Sequence, residues 1–183
     1  MKTLEKQQIL DDKGVKRVVE RMAHEILERH KGADSLVLVG MLTRGAVLAE
    51  RLAALIQGIE GKAPETGSLD ITFYRDDFRS RLKQPSVKAT DIPFSIQDRD
   101  VVLVDDVLFT GRTARAALDA LNDFGRARTI QLAVLIDRGH RELPIQADYT
   151  GKVVTTPQNE EIAVRFKETD SREGVWLVEA PGP

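Results

Sequence analysis

The sequence predicts an α/β fold with a doubly wound, mostly parallel sheet and helices on both of its faces. Three short apolar runs, at 35–39, 101–104 and 129–136, are typical of strands that are buried on both faces. Segments with helical periodicity, over about 13–30 and 45–57, accompany them. Buried strands that alternate with helices indicate a parallel sheet covered on both sides, with ligands at the carboxyl ends of its strands.

The first helix is predicted over 13–30. Asp11 and Asp12 are its candidate N-caps, and Gly32 ends the periodic run. Because apolar residues recur at intervals of three and four, one side of this helix is expected to face the core. The residues on that side are Val15, Val18, Val19, Met22, Ala23, Ile26 and Leu27.

The next segments continue the alternation. A strand at 35–39 leads into a helix over about 45–57, and the glycines and the proline of 58–67 predict a loop. Apolar and more polar residues then alternate, which predicts a half-exposed strand over 69–74.

The polar segment 75–99 has no periodicity, and we expect most of it, about 75–91, to be a long mobile loop. Four apolar residues at helical spacing follow Thr113, and Gly125 ends this helix. Short strands near 152–155, 161–166 and 174–178 are expected to form a small accessory lobe, about 150–180, of a single domain spanning 1–183.

Composition limits the functions that the chain can have. Its 183 residues are 42% apolar and 31% charged, with a formal net charge of −2, which is typical of a folded protein rather than of an indiscriminate nucleic-acid binder. The absence of cysteine excludes disulfides and thiolate chemistry. No run approaches the ~18 apolar residues of a membrane span, and the first residues lack the apolar segment of a signal peptide. We therefore expect a cytoplasmic protein with no membrane partner.

A buried strand, two adjacent carboxylates and a turn of small residues follow one another in 101–113. Asp105 and Asp106 stand where the strand is expected to end, and a Thr-Gly-Arg-Thr turn at 110–113 opens the next helix. Backbone N–H groups and threonine hydroxyls at a helix N-terminus bind phosphate. Gly111 lets the main chain approach a ligand, and the carboxylates can accept hydrogen bonds from two neighbouring ribose hydroxyls. This pattern predicts a site for a ribose 5-phosphate.

Two further segments fit such a site. Thr43 and Arg44 lie between the first buried strand and its helix, at the sheet edge that also holds Asp105, where a helix N-terminus would meet an anion. The predicted loop after residue 74 carries cations that suit a negatively charged leaving group. These cations are Arg75, Arg79, Arg81, Lys83 and Lys88.

Other interpretations of the acidic pair fit the sequence less well. An ordinary buried strand and helix with a polar turn is the plain structural alternative. A receiver domain also has an acidic pair after an apolar strand, but that strand is normally its first, whereas about a hundred residues come before Asp105 here. We find neither the phosphate loop of an NTPase nor a catalytic triad, and the three histidines at 24, 30 and 140 do not suggest a metal site.

Residues 101–113 resemble, throughout, the phosphoribosyl pyrophosphate (PRPP) motif of type I phosphoribosyltransferases. Together with 74–77 and 137–152, they resemble the PyrR family of bifunctional pyrimidine operon regulators and uracil phosphoribosyltransferases. The resemblance extends over nearly the whole chain. The resemblance implies the type I phosphoribosyltransferase fold with a C-terminal hood lobe. It implies conversion of uracil and PRPP to UMP and diphosphate, and UMP-dependent binding to pyrimidine operon mRNA. A phosphoribosyltransferase for a purine base, without RNA regulation, is the alternative.

The resemblance also implies roles for individual residues. Asp105, Asp106 and Arg44 would be catalytic, with Mg²⁺ held mainly by PRPP rather than by a dedicated protein site. Arg138 would lie beside the nucleobase, and the main chain at Ile162 would read the edge of uracil. The implied contacts with PRPP or UMP are Thr43, Arg44, Asp105, Asp106, Val107, Leu108, Phe109, Thr110, Gly111, Arg112 and Thr113.

For the regulatory activity the resemblance implies a basic RNA-binding surface, since cations that meet phosphates carry much of RNA affinity. Arg17, Arg21 and His24 form a stripe on the first helix, opposite its apolar side. Glu20 and Gln146 stand where the family leads us to expect a threonine and an arginine, and both substitutions make this surface less positive. The family also suggests a homo-oligomer, a dimer or a tetramer. The implied RNA contacts are Arg21, His24, Arg29, His140, Arg141 and Lys152.

Overall fold

The computed structural model describes residues 4–71, 89–157 and 159–179, and two β-sheets lie within them. The helices are α1 (Asp12–His30), α2 (Arg44–Glu60), α3 (Arg112–Leu121, followed by a 3₁₀ turn, Asn122–Phe124) and the short α4 (Lys167–Asp170). The strands are β1 (Glu5–Leu10), β2 (Leu36–Met41), β3 (Glu65–Leu69), β4 (Asp100–Leu108), β5 (Thr129–Asp137), β6 (Tyr149–Val153), β7 (Glu160–Arg165) and β8 (Gly174–Glu179).

The larger sheet has five parallel strands in the order β3-β2-β4-β5-β6. Leu103 of β4 pairs with Val39 of β2 on one side and with Leu132 of β5 on the other. The chain runs outward from β2 to β3 and then returns to β4, so the direction of strand order reverses between β2 and β4. Ligands of open α/β sheets bind outside the carboxyl ends of the strands at such a point.

Helices cover both faces of this sheet. Leu38 and Val104 belong to the core that α1 and α2 cover, whereas their neighbours Val39 and Leu103 belong to the core beneath α3. This alternation follows from the two-residue period of a strand. The prediction of a doubly wound, parallel α/β fold is confirmed.

Helix α1 has the predicted boundaries to within one residue. Oδ1 of Asp11 accepts a hydrogen bond from the backbone N of Gly14 at 2.7 Å, so Asp11 is the N-cap, while Asp12 is the first helical residue. Lys31, with φ of 55°, closes the other end through a hydrogen bond from its N–H to the carbonyl of Leu27. The predicted apolar side is buried, except that Val18 is half-buried.

The smaller sheet is antiparallel, with the order β1-β8-β7, and corresponds to the predicted accessory lobe. One expectation about it was wrong, and one of its strands was not predicted. The strand expected near 152–155 is β6, which belongs to the parallel sheet, and β1 at the N-terminus supplies the third strand of the lobe. Four of the six residues of β1 are exposed, so its pairing depends on the backbone of β8 rather than on an apolar pattern.

The segment between α2 and β4 also differs from the prediction. Glu65–Leu69 is strand β3, where a loop was expected, and the strand expected over 69–74 overlaps it only at Leu69. β3 is a polar edge strand held in register by β2, so side-chain periodicity gives no sign of it. Residues 72–74 lie outside the described residues.

Most of the predicted loop at 75–99, including its five cations, also lies outside the described residues. The described part, 89–99, has no helix, but it is fixed to the fold. Asp91 and Ser68 exchange two backbone hydrogen bonds of 2.8 Å, and the side chain of Ile96 is fully buried. None of the helices in the described residues combines the length and the apolar character needed to cross a bilayer.

Candidate active site

The acidic pair lies inside β4 rather than after it, because the strand continues to Leu108. Backbone pairing with β5 includes Asp105 and extends to Leu108. Oδ1 of Asp105 accepts a hydrogen bond from the backbone N of Asp106 at 2.9 Å. Burial raises the pKa of the Asp106 carboxyl, and its hydrogen bond with Asp105 and the charge of Arg44 act in the opposite direction. Hydroxyl donors or a cation would favour the charged form of Asp106.

The turn after β4 leads from the acidic pair to the N-terminus of α3. Gly111, with φ of 92°, is the N-cap of α3 and has no side chain to cap the helix. The carbonyl of Thr110 accepts hydrogen bonds from the N–H groups of Glu142 and Leu143 at 3.0 and 3.1 Å, which anchors the turn. Its hydroxyl accepts a weak hydrogen bond from the N–H of Arg112 at 3.4 Å. A phosphate at the N-terminus of α3 would therefore meet a fixed set of donors.

The loop after β2 meets the end of β4 because two glycines allow close contact. A Cβ on Gly45 would lie 2.3 Å from the carbonyl oxygen of Val104, and a Cβ on Gly40 would lie 2.3 Å from Cα of Ala46. No larger residue fits either position without a shift of the backbone. The N-terminus of α2, with Arg44, is thereby held against the acidic pair.

Arg44 is bound to Asp170, a residue that the sequence did not single out. Its Nη2 and Nε donate to the two carboxylate oxygens of Asp170 at 2.6 and 3.2 Å. Thr169 Oγ1, at 2.7 Å, and the backbone N of Phe166, at 3.2 Å, donate to the same carboxylate. Burial favours the neutral acid, but these hydrogen bonds prevail and hold the pKa of Asp170 below its usual range.

Arg138 lies at the carboxyl end of β5 and connects three parts of the site. The residue is 5% exposed, and its Nε and Nη2 donate to Oγ1 of Thr156 at 3.1 Å and to the carbonyl of Glu160 at 2.7 Å. Its guanidinium carbon lies 3.9 Å from the centre of the Phe109 ring. Burial lowers the pKa of Arg138, and the charge of Glu161 acts against this.

Arg138 therefore links the turn after β4, through Phe109, to β7, the strand that contains Ile162. Ile162 is half-buried and pairs with Leu177 of β8. Thr156, which is 2% exposed, is a second residue that the sequence did not single out. Of the residues expected at the base, Arg138 therefore contacts both the last part of the 101–113 segment and the first residue of β7.

His140 and Arg141, expected at the RNA, take part in the structure of the loop after β5. His140 Nε2 lies 2.6 Å from the carbonyl oxygen of Thr156. Arg141 donates to the carbonyls of Phe109 and Ile145 at 2.8 and 2.9 Å and pairs with Asp137. These contacts tie the loop to the turn after β4.

The other residues expected at the RNA lie on α1 and on the adjacent strand β6. Arg21 pairs with Glu25 and donates to main-chain carbonyls of β6, at 3.2 Å for that of Thr150. Arg29 pairs with Asp148 at 3.2 Å. Both cations are partly exposed, and His24 and Lys152 are exposed.

The described residues contain no cluster of three or more His, Asp or Glu side chains that could hold a metal ion. Asp105 and Asp106 provide two adjacent carboxylates. Burial disfavours the charged form of Asp106, so a cation beside it would be stabilising. Mg²⁺ is commonly held by one or two carboxylates together with phosphate oxygens. The acidic pair fits a magnesium ion that arrives with a phosphorylated substrate.

Comparison with known proteins agrees with this geometry. The model of the phosphoribosyl transferase domain matches residues 5–170. The protein named bifunctional protein PyrR of Pelotomaculum thermopropionicum is 58% identical over 175 residues, which cover 96% of this chain and 97% of the relative. The protein of the same name from Bacillus mycoides is 57% identical, over 94% of this chain and 97% of the relative.

Solved structures of other phosphoribosyltransferases share the fold at low sequence identity. A hypoxanthine phosphoribosyltransferase from Staphylococcus aureus is 19% identical with a TM-score of 0.70, and the match covers 97% of this chain and 93% of that one. A hypoxanthine phosphoribosyltransferase from Trypanosoma cruzi is 15% identical with a TM-score of 0.74, over 96% of both chains. The chain therefore has the type I phosphoribosyltransferase fold, and it belongs to the phosphoribosyl transferase domain family and, within it, to the PyrR bifunctional proteins.

Proposed function

We propose that this protein converts uracil and PRPP to UMP and diphosphate, and that it regulates a pyrimidine operon by UMP-dependent binding to mRNA. The observation that carries the enzymatic half is the position of the acidic pair. Asp105 and Asp106 lie in β4 between two loops, one leading to the N-terminus of α3 and one holding Arg44. The family of the chain supports both halves.

The ribose 5-phosphate would be held by β4 and the turn after it. The hydroxyls of Thr110 and Thr113 and the N–H groups at the start of α3 would bind the 5-phosphate. Asp105 and Asp106 would accept hydrogen bonds from the two ribose hydroxyls, which would stabilise the buried charge of Asp106. Both ends of the sugar phosphate would then be fixed before the reaction.

The leaving diphosphate would lie at the loop after β2. Arg44 and the N-terminus of α2 would neutralise its charge as it leaves, which is the largest electrostatic demand of this reaction. The acidic pair would help to hold the Mg²⁺ that accompanies PRPP, and that ion would supply further neutralisation of the diphosphate charge.

The base would lie between Arg138 and the main chain of β7. Arg138 is held in place by three contacts, with the hydroxyl of Thr156, the carbonyl of Glu160 and the ring of Phe109. The backbone at Ile162 would then read the polar edge of uracil, and Arg138 would lie beside the ring.

The chemical step exchanges one bond for another at the anomeric carbon. The bond from this carbon to a diphosphate oxygen breaks, and the oxygen keeps the electron pair. A ring nitrogen of uracil bonds to the same carbon and loses its proton to solvent or to the departing diphosphate. The geometry suits a reaction that depends on positioning and on charge stabilisation rather than on a covalent intermediate.

The RNA site would extend over α1 and β6 and toward the loop after β5. Arg21, His24, Arg29 and Lys152 are exposed in whole or in part, as electrostatic contact with phosphates requires. Lys152 pairs in the sheet with Ile136 of β5, the strand that leads to His140 and Arg141. We further propose that the protein acts in the cytoplasm, as a homo-oligomer and as a single domain.

Turnover with different bases tests the enzymatic half. The protein is incubated with PRPP, Mg²⁺ and each of uracil, hypoxanthine, guanine and adenine, and nucleotide formation is measured. We expect UMP from uracil, and product from the purines alone would replace uracil with a purine as the substrate. Changing Asp105 and Asp106 together to Asn should lower kcat/KM by about 100-fold or more, with thermal unfolding near that of the wild type.

Affinity for RNA tests the regulatory half. Binding of a pyrimidine-operon leader hairpin and of a scrambled hairpin is measured with and without UMP. We expect UMP to increase the affinity for the leader hairpin, and equal binding of both RNAs in all conditions would refute this half.

A further inference from the structure

The arginine that the proposed mechanism assigns to the diphosphate is already engaged. Nη2 and Nε of Arg44 form a two-pronged pair with the carboxylate of Asp170, at 2.6 and 3.2 Å. A diphosphate presents oxygens to arginine in the same forked geometry as a carboxylate. Asp170 and a diphosphate are therefore alternative partners for the same donors.

Asp170 is held in place for this contact. The hydroxyl of Thr169 and the backbone N of Phe166 donate to the same carboxylate oxygen, Oδ2. The side chain of Phe166 is fully buried, which fixes the start of α4. The side chain of Asp170 is 17% exposed and that of Arg44 is 38% exposed, so the pair lies at the rim of the site, where a ligand can reach it.

The two partners compete because both need the same N–H groups, Nη2 and Nε of Arg44, which Asp170 already occupies. The negative charge of the diphosphate that Mg²⁺ leaves unneutralised would also be repelled by the nearby Asp170 carboxylate. The charge of Arg44 also acts on Asp106, so its orientation matters to the acidic pair as well.

We propose that Asp170 is an intramolecular competitor of the PRPP diphosphate for Arg44, and that PRPP binds by displacing it. This inference rests on the proposed role of Arg44 in PRPP binding. Asp170 belongs to α4, which directly follows β7, the strand with Ile162. Its release would therefore couple occupancy of the diphosphate site to the lobe that reads the base. The competition would weaken the binding of PRPP and of free diphosphate, whereas the binding of UMP, which has no diphosphate, would not change.

The test compares Asp170→Asn with Glu168→Gln. Both substitutions remove one negative charge from α4, but Glu168 pairs with Arg51, away from Arg44. Dissociation constants for PRPP, diphosphate and UMP are measured by calorimetry with Mg²⁺ present. We expect Asp170→Asn to tighten PRPP and diphosphate by about three- to tenfold, with UMP unchanged within about twofold, and Glu168→Gln to change none of the three.

Equal or weaker binding of PRPP to Asp170→Asn would overturn the proposal. If Asp170→Asn does not fold, as judged by thermal unfolding, Thr169→Val gives the same test with a smaller effect. That variant removes the 2.7 Å hydrogen bond that fixes Asp170, and PRPP should bind about twofold more tightly, whereas unchanged or weaker binding would overturn the proposal. Absence of PRPP binding by the wild type would instead contradict the proposed function, so the two failures are distinguishable.

Discussion

Replacing Thr156 with valine removes one hydroxyl and leaves the shape of the side chain almost unchanged. The hydroxyl accepts the hydrogen bond from Nε of Arg138 at 3.1 Å, and Arg138 is only 5% exposed. Water cannot easily replace the lost acceptor, and leaving a buried donor unsatisfied costs about 1–3 kcal/mol. That cost corresponds to about 5- to 150-fold in an equilibrium constant. We expect most of it to appear at the base, because Arg138 would lose the partner that orients it.

Steady-state kinetics with each substrate varied in turn measures this effect. The KM for uracil should rise about fivefold or more in Thr156→Val, while the KM for PRPP should stay within about twofold. Thr155→Val, at an exposed neighbouring position, is the matched control and should resemble the wild type. A folded Thr156→Val protein with an unchanged KM for uracil would refute the reasoning that Thr156 positions Arg138 for the base.

Three further predictions concern stability and RNA binding. Asp100 is buried and accepts hydrogen bonds from Arg128, Ser35 and Thr129. The hydrogen bond from Arg128 is the main reason that the pKa of Asp100 lies below its usual range. Asp100→Asn should therefore destabilise the fold at pH 7 by about 1–3 kcal/mol, and the difference from the wild type should shrink as pH falls below about 4. Gly45→Ala places a Cβ 2.3 Å from a carbonyl oxygen and should destabilise the fold by about 1–3 kcal/mol or abolish PRPP turnover. Gly58→Ala is the control in the same helix, and because the space around it is open, it should stabilise the fold by up to about 1 kcal/mol. Lys152→Ala should weaken RNA binding and reduce the slope of log affinity against log salt concentration by about one. Uracil turnover should not change.

Urea unfolding at several pH values checks Asp100→Asn, and a constant difference from pH 7 to pH 3 would contradict the pKa argument. Thermal unfolding and PRPP turnover compare the two glycine variants, and an active, stable Gly45→Ala protein would show that the close contact with β4 is not needed. Filter binding at several salt concentrations checks Lys152→Ala, for which an unchanged slope would place the RNA elsewhere.

The parts of the fold that could be predicted are those with a strong local pattern. β2, β4 and β5 are buried on both faces and appear as continuous apolar runs, and α1 has both a capping residue and an apolar side. β1 and β3 could not be predicted in the same way. Both are polar edge strands whose positions depend on hydrogen bonds to a neighbouring strand rather than on their own side chains.

The residues of the site differ in the same way. Some are close together in the sequence, whereas others meet only in the folded structure. Only residues 107–109 separate the acidic pair from the turn at 110–113, so one stretch of sequence contains both halves of the proposed ribose 5-phosphate site. Asp170 lies 126 residues from Arg44, and Thr156 lies 18 residues from Arg138. No spacing in the sequence indicates these contacts, because they arise from how the small sheet lies against the large one.

The proposed activity depends on the acidic pair and the turn after β4 holding a ribose 5-phosphate. A crystal structure of the protein with bound UMP would show whether they do. We expect the phosphate against the N–H groups and hydroxyls of 110–113, with both ribose hydroxyls within hydrogen-bond distance of Asp105 and Asp106. UMP bound at any other place, with these groups making no contact to it, would contradict the account.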